Sequence, residues 1–439
     1  MEHVELLAPA GNLSKAKTAI LYGANAVYIG GQSFSLRSRA SNFSLDQIAE
    51  LCTFAHEHHS KVHVTVNIIP HPDDLQGLDD YLRALNDAGI DAIISASPTI
   101  ITHALHMDSR QFEVHISTQR SILNSAAVRF WKRQGVERVV LGRETNLDSI
   151  EAICAQDIMP IEVFIHGGMC ISYSGRCVLS NHMTDRDANR GGCAQSCRWK
   201  YELFDEQNEK ISRDETPYSM SSRDLQAAKY IERLIHAGVA SLKIEGRMKS
   251  DYYLAVVVGA YRRLIDAIES GQTITQEFLA EISAELARAE NRPAGPGFYN
   301  GLPDQNVQLY RRHDESVTQE YIGYVLEEPR DGWMKIQVKN HFEAGTLVEL
   351  FGPGIAPYPQ TIEEIQTLDG LPKSVCSHPM EIVRIRWNQP ARPGSMIRKQ
   401  RLSMPDKPET EAKPAAKTAE QPDNKPSASD EEDKSAASK

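Results

Sequence analysis

Four of the seven cysteines in this 439-residue chain fall within one short stretch, EVFIHGGMCISYSGRCVLSNHMTDRDANRGGCAQSC, from Glu162 to Cys197. Cys170, Cys177, Cys193 and Cys197 are separated by six, fifteen and three residues. A thiolate is a soft ligand, and four that converge suit tetrahedral zinc or an iron–sulfur cluster. Structural zinc usually draws on two tight pairs. Here only the second pair is close, an arrangement that the wider sulfur positions of a cubane tolerate better, with zinc or buried free thiols as the alternatives. The CxxxCxxC pattern of enzymes that cleave S-adenosylmethionine is not met, because Lys200 stands where a third cysteine would follow Cys193 and Cys197.

The elements that must position these thiols follow from periodicity. Short β-branched runs alternate with amphipathic stretches of helical length. The runs are Val4 to Leu7, Ala26 to Ile29, Val62 to Val66, Ala92 to Ser95, Glu113 to Ile116, Arg138 to Leu141, Ile161 to Ile165 and Leu242 to Glu245. Helix starts are signalled by Asn12 or Ser14 and by Ser44, and Leu225 to His236 reads as a further helix. Strands buried on both faces and joined by crossover helices make a parallel sheet, and eight such units close into an α/β (β/α)8 TIM-like barrel; an open doubly wound sheet is the alternative. In such a barrel the chemistry sits at the C-terminal strand ends. The cysteines begin just after the seventh run. Asn67, Ser95, His115, Gln119, Arg143, His166, Glu245 and Arg247 end strands and are expected to ring the same mouth.

Residues 1–270 are assigned to the barrel with a Cys-rich insertion at 162–200, and 271–320 to a helical and linker segment. From about 321 to 402 the texture changes to short alternating strands (YIGYVLEE, MKIQVK, TLVELFG, EIVRIRW), which predicts a smaller β-barrel or sandwich domain. Residues 403–439 have almost no large apolar side chain and are expected to be disordered. The apolar share of 41% is that of a globular protein, and no apolar run approaches a membrane span. With no signal-like N-terminus the expectation is a cytoplasmic protein, where reduced thiols favour metal over disulfides. A net charge of -11 argues against indiscriminate nucleic-acid binding but leaves room for a local basic patch.

Two strand-end histidines, His115 and His166, could move protons, though a satisfied core histidine is an equal reading. Glu245, in KIEGR, could be a carboxylate base or could pair with Arg247 or Lys243. Peptidase chemistry finds no support in motifs. His56-Glu57-His58-His59 has the wrong spacing for HExxH, and there is no GxSxG elbow.

The run Glu162, Phe164, Gly167, Met169, Cys170, Gly175, Cys177, Leu179, Ser180 resembles the signature of the collagenase-like peptidase family (peptidase family U32), whose members include RNA- and quinone-hydroxylation proteins. ELLAPAGN from Glu5 and ANAVYIGG from Ala24 also resemble its N-terminal strands. Gly168 departs from the Ser or Ala usual there. The resemblance covers roughly residues 2 to 400. The two-domain length and the pair Cys193 and Cys197 are similar to the family's tRNA-modifying branch. What this implies is oxygen-independent hydroxylation of the tRNA wobble uridine to 5-hydroxyuridine, with a [4Fe–4S] cluster on Cys170, Cys177, Cys193 and Cys197, prephenate as co-substrate and an electron donor or acceptor still to be identified. A dicarboxylate such as prephenate calls for cationic forks, and Arg37, Arg39, Arg143, Arg186, Arg198 and Arg247 are the candidates. RNA contact is expected from Arg384 to Arg401, with Trp387 as a stacking platform, and secondarily from Arg292 to Tyr299 with Phe298 and Tyr299. A metal-dependent peptidase and a non-catalytic RNA-binding protein are the competing readings.

Overall fold

Eight runs of buried sequence pair side by side and close on themselves in the computed structural model, which describes residues 3–36, 42–212, 218–289, 292–303 and 320–399. The barrel strands are β1 (Glu5–Pro9), β2 (Ala26–Gly30), β3 (Lys61–Thr65), β4 (Ala92–Ser95), β5 (Glu113–Ile116), β6 (Arg138–Val140), β7 (Ile161–Gly167) and, after the short β8 (Asp224–Gln226), β9 (Ser241–Ile244). Each pairs in parallel with the next, and β9 closes the ring by lying parallel to both β7 (Glu162 opposite Ser241) and β1 (Glu5 opposite Ser241). Closure leaves no edge open within the barrel, so the eight-unit expectation holds in preference to the open sheet.

The helices are α1 (Leu13–Leu21), α2 (Leu45–Glu57), α3 (Leu78–Asp87), α4 (Pro98–Leu105), α5 (Ser125–Gln134), α6 (Leu147–Cys154), α7 (Leu179–Thr184), α8 (Ile231–His236), α9 (Asp251–Glu269) and α10 (Gln276–Ala287). Several start where the sequence signals a cap. Asn12 accepts from Lys15 N–H at the start of α1, and Ser44 forms a capping box with Gln47 at α2. The stretch read as one helix from Leu225 is instead β8 followed by a turn and α8. Gln226 and Leu225 extend the end of β7 in antiparallel register, and β10 (Ala294–Gly295) pairs alongside β8. Among the described residues no helix is long and apolar enough to cross a membrane.

The strands alternate as a two-residue period requires. Leu6 and Ala8 face the helices, while Leu7, Ala26, Tyr28 and Ile94 meet inside the barrel. The interior also holds a charged network. Arg138 bonds Glu5 at 2.5 Å and Glu162 at 3.2 Å, Lys243 reaches Glu162 at 2.6 Å, and Ser241 donates to Glu5 at 2.7 Å. Burial alone would raise the Glu162 carboxyl, yet Lys243 and Arg138 hold it low. Two carboxylates and two cations thus neutralise one another where water cannot.

The C-terminal domain is antiparallel. It uses β11 (Tyr321–Val325), β12 (Trp333–Val338), β13 (Phe342–Glu343), β14 (Leu347–Gly352), β15 (Ile355–Thr361), β16 (Ile365–Gln366), β17 (Pro372–Lys373), β18 (Val375–Cys376), β19 (Ile382–Arg386) and β20 (Met396–Lys399). Its main sheet runs β15-β14-β20-β11-β12-β19-β16-β17. Pro357 and Pro359 sit in β15, at the sheet edge, where a missing N–H does no harm. Trp387 is not a base platform. It is fully buried in this domain's core and its indole N–H donates to the Tyr358 hydroxyl at 3.1 Å. Arg398, from the same basic run, is also internal, bonding Glu285 of α10 and Glu349 of β14. The expected disordered tail, 403–439, lies outside the described residues, as do Arg37 and Arg39.

Candidate active site at the barrel mouth

β7 ends in Gly167, whose φ of +103° few side chains tolerate; a Cβ there would also lie 2.4 Å from the Glu245 carbonyl oxygen. The chain can therefore leave the barrel pressed against the end of β9. It then enters the cysteine insertion, a series of tight turns around α7. Polar contacts fix these turns to the barrel. Glu144 accepts from the Ser174 N–H at 2.5 Å and its hydroxyl at 2.9 Å, which secures Ser174 in its left-handed conformation (φ +50°). Arg190 pairs with Asp74, and Ile69 N–H donates to Asn189 O at 3.0 Å.

Three of the four cysteines border two adjoining cavities. A cavity of about 240 Å3 at the mouth is lined by Cys170 and Cys193 together with Asn67, Gln119, Arg143, Lys243, Glu245 and Arg247. A neighbouring cavity, also about 240 Å3, is lined by Cys170, Cys193 and Cys197 with Arg143, Arg186, Arg198 and Glu245. Cys177 lies behind them, on a groove beside α4. Poor hydration raises the Cys197 thiol, and the charges of Cys170, Cys193 and Cys177 add to the rise, so the four sulfurs share one electrostatic environment. Two already receive backbone donors from two residues ahead: Leu179 N–H reaches Cys177 Sγ at 3.3 Å, and the Ser172 N–H faces Cys170. At Cys170 burial raises the thiol, and the Ser172 N–H opposes that rise.

Among the described residues no three Cys, His, Asp or Glu side chains are gathered tightly enough to hold a single metal ion. Four thiolates around one zinc must sit on a tetrahedron with bonds of about 2.3 Å. A cluster, in which each thiolate meets a different iron, takes its ligands from a wider circle. Four cysteines from one insertion are soft donors of the kind that either centre uses.

The predicted strand-end residues divide. Asn67, Gln119, Arg143, Glu245 and Arg247 come together on the cavity. Arg143 donates to Gly168 O at 2.7 Å and lies 3.9 Å above the Phe164 ring. Arg247, 5% exposed, donates to Ser35, Thr65, Leu36 O and Asn42. Glycine makes room for it, since a Cβ on Gly30 would sit 2.4 Å from its Nη2. The two histidines are corrected. His115 does not line the cavity; its Nε2 pairs with Glu113 at 2.8 Å and its ring packs edge-on to His63. His166 turns outward to α9, its Nδ1 3.3 Å from the Tyr261 hydroxyl, and burial pushes it down to about 3. Both are core histidines with one ring nitrogen hydrogen-bonded, and the buried Nδ1 of His115 has no partner among the described residues. Tyr299 is likewise no platform, being buried with its hydroxyl on Phe164 O at 2.7 Å.

Lys243, read from the sequence only as a possible partner of Glu245, also lines the cavity, as does Glu144, which the sequence reading missed. Lys243 is a charge at an inward position of a buried strand, a break in apolar pattern that marks it. Glu144, a loop carboxylate, carries no such signal.

The profile of peptidase family U32 matches residues 11–309, and that of the peptidase family U32 C-terminal domain matches 317–398. Over 403 residues, 90% of this chain and 94% of the relative, the sequence is 44% identical to tRNA hydroxylation protein P1 of Bacillus subtilis. It is 43% identical over 265 residues to the 23S rRNA 5-hydroxycytidine C2501 synthase of Escherichia coli, covering 60% of this chain and 40% of that one. A protein named collagenase from Porphyromonas gingivalis is 31% identical over 378 residues, 82% of this chain and 90% of that one.

Proposed function

The chain belongs to peptidase family U32, and from that premise we propose that it is an RNA-modifying enzyme that hydroxylates the wobble uridine of tRNA to 5-hydroxyuridine without molecular oxygen. What supports this reading is that Cys170, Cys193 and Cys197 share a cavity with Arg143 and Glu245 at the barrel mouth, with Arg247 on the adjoining cavity and Cys177 on a groove of the same insertion, in a chain whose relatives are named for hydroxylating tRNA and rRNA. Cys170, Cys177, Cys193 and Cys197 would hold a [4Fe–4S] cluster, which when bound supplies one-electron redox chemistry.

The chain's own residues divide the remaining work. Arg143 and Arg247 present guanidinium groups to the cavity from beyond the ends of β6 and β9 and suit the carboxylates of prephenate, the proposed co-substrate. Arg186 and Arg198 face the adjoining cavity and add to its positive field. Glu245 borders both spaces and is the residue placed to accept or return a proton. Tyr28, Ile94, Val140, Phe164 and Met169 give the cavity an apolar wall that limits water.

The test is nucleoside mass spectrometry of bulk tRNA from cells lacking the gene, complemented with wild type or Cys170→Ala. Wild type should restore 5-hydroxyuridine derivatives and the variant should not. Unchanged spectra on deletion would remove the proposal. The relative named collagenase supplies the competing reading, a metal-dependent peptidase. Gelatin cleavage by pure protein that survives loss of the cysteines would decide for it.

A further inference from the structure

We propose that the groove between the start of α4 and the Cys177 turn is a phosphodiester site that holds the RNA backbone beside the cavity, an inference that rests on the RNA substrate proposed above. The groove, about 630 Å3, is lined by Arg120 and Arg176 along with His71, Thr99 and Asp187, and Cys177 forms part of its wall. Neither arginine has a carboxylate partner among the described residues. Arg120 is held by stacking 5.5 Å from the Trp131 ring, and its buried Nε has no hydrogen-bond partner there. Partial burial, and then the charge of Arg176, work against its protonated form. The carboxylate that lines the groove, Asp187, is engaged locally, accepting from Asn189 N–H at 2.8 Å.

Two guanidinium groups that repel each other in a half-sheltered groove are arranged for an anion that bridges them. A phosphate fits best, since it accepts from both forks at once. Position argues for a phosphate within RNA over a free one. Gln119, Gly175 and Ala188 line the mouth cavity, and their chain neighbours Arg120, Arg176 and Asp187 line the groove, so the two spaces adjoin. A strand anchored by its phosphate here has its neighbouring nucleotide beside that cavity, where a base taken out of its stack can enter. In a chain of net charge -11, such a local pair is also what RNA needs in order to approach this face.

Phosphate contacts set register and carry no sequence information. The double variant Arg120→Gln/Arg176→Gln, in the full chain with its cluster loaded, should therefore bind bulk tRNA at least tenfold more weakly. The slope of log affinity against log salt, taken between about 50 and 200 mM, should become shallower by about one to two. Iron and sulfide content should match wild type, and the double lysine variant should recover most of the affinity. Affinity and slope equal to wild type would overturn the groove while leaving the hydroxylation reading intact. Should the double variant lose iron, Arg120→Gln alone, remote in sequence from the cysteines, decides the same point through its own affinity and slope. Wild-type protein that binds tRNA through these arginines but leaves it unmodified would instead overturn the catalytic reading and keep the groove.

Discussion

A thiol that ligates iron has no substitute, whereas a thiol that only packs can be trimmed. Cys52, Cys154 and Cys376 are of the second kind: burial pushes them up to about 12, 11 and 11, so they stay protonated at neutral pH. Cys177→Ala should therefore abolish bound iron and tRNA hydroxylation together, and Cys52→Ala should preserve both, as read by iron per chain and nucleoside mass spectrometry. The buried histidines give a separate prediction. His63 and His166 are pushed down from 6.5 to about 3, chiefly by burial. Below about pH 6.5 the unfolded chain binds protons that the folded chain refuses, so stability falls with falling pH by about 1.4 kcal/mol per pH unit for each histidine. His166→Phe keeps a ring against Tyr253 and Tyr261 and should reduce that slope by one proton, measured by urea unfolding between about pH 6 and 5. An unchanged slope would contradict the assignment. At this scale the sequence brought four cysteines into one stretch, and the insertion after β7 puts three of them, Cys170, Cys193 and Cys197, on one cavity. The sequence was misleading about His115, His166 and Trp387, because a polar or aromatic side chain at a strand end reads the same whether it turns toward solvent or into the core.

The elements matter through the room they leave. β2 ends in a glycine so that Arg247, arriving from beyond β9, can lay its guanidinium across the barrel mouth. Gly30→Ala puts a methyl group into that guanidinium. It should raise KM for the carboxylate co-substrate severalfold, with a smaller change in kcat and no loss of iron; a kcat defect at unchanged KM would show that Arg247 does not position the co-substrate. Eight strand runs were legible because apolar β-branched residues between helical periods have one economical arrangement. β8 and β10 were not, being two or three residues long with no pattern of their own. β8 pairs with the last residues of β7, and β10 pairs in turn with β8.

Across the whole molecule, ion pairs join α10 to the β-domain. Arg398 of β20, 1% exposed, bonds Glu285 of α10 and Glu349 of β14, while Arg288 at the end of α10 pairs with Glu320 and Glu349. Arg398→Ala leaves the part-buried Glu285 without this cation, while Glu349 keeps Arg288, and should cost about 2–3 kcal/mol in chemical unfolding; a loss under 1 kcal/mol would show that the contact is incidental. The basic run that looked like an RNA strip is thus partly domain glue, since its charge balance is set by acidic residues distant in sequence. Whether the four thiols at the barrel mouth hold a redox cluster is decided by anaerobic purification followed by iron, acid-labile sulfide and zinc analysis with an absorption spectrum. Iron and sulfide should be present in equal amounts, with a broad visible band that Cys177→Ala removes. Stoichiometric zinc, or a colourless metal-free protein that still hydroxylates tRNA, would contradict the cluster.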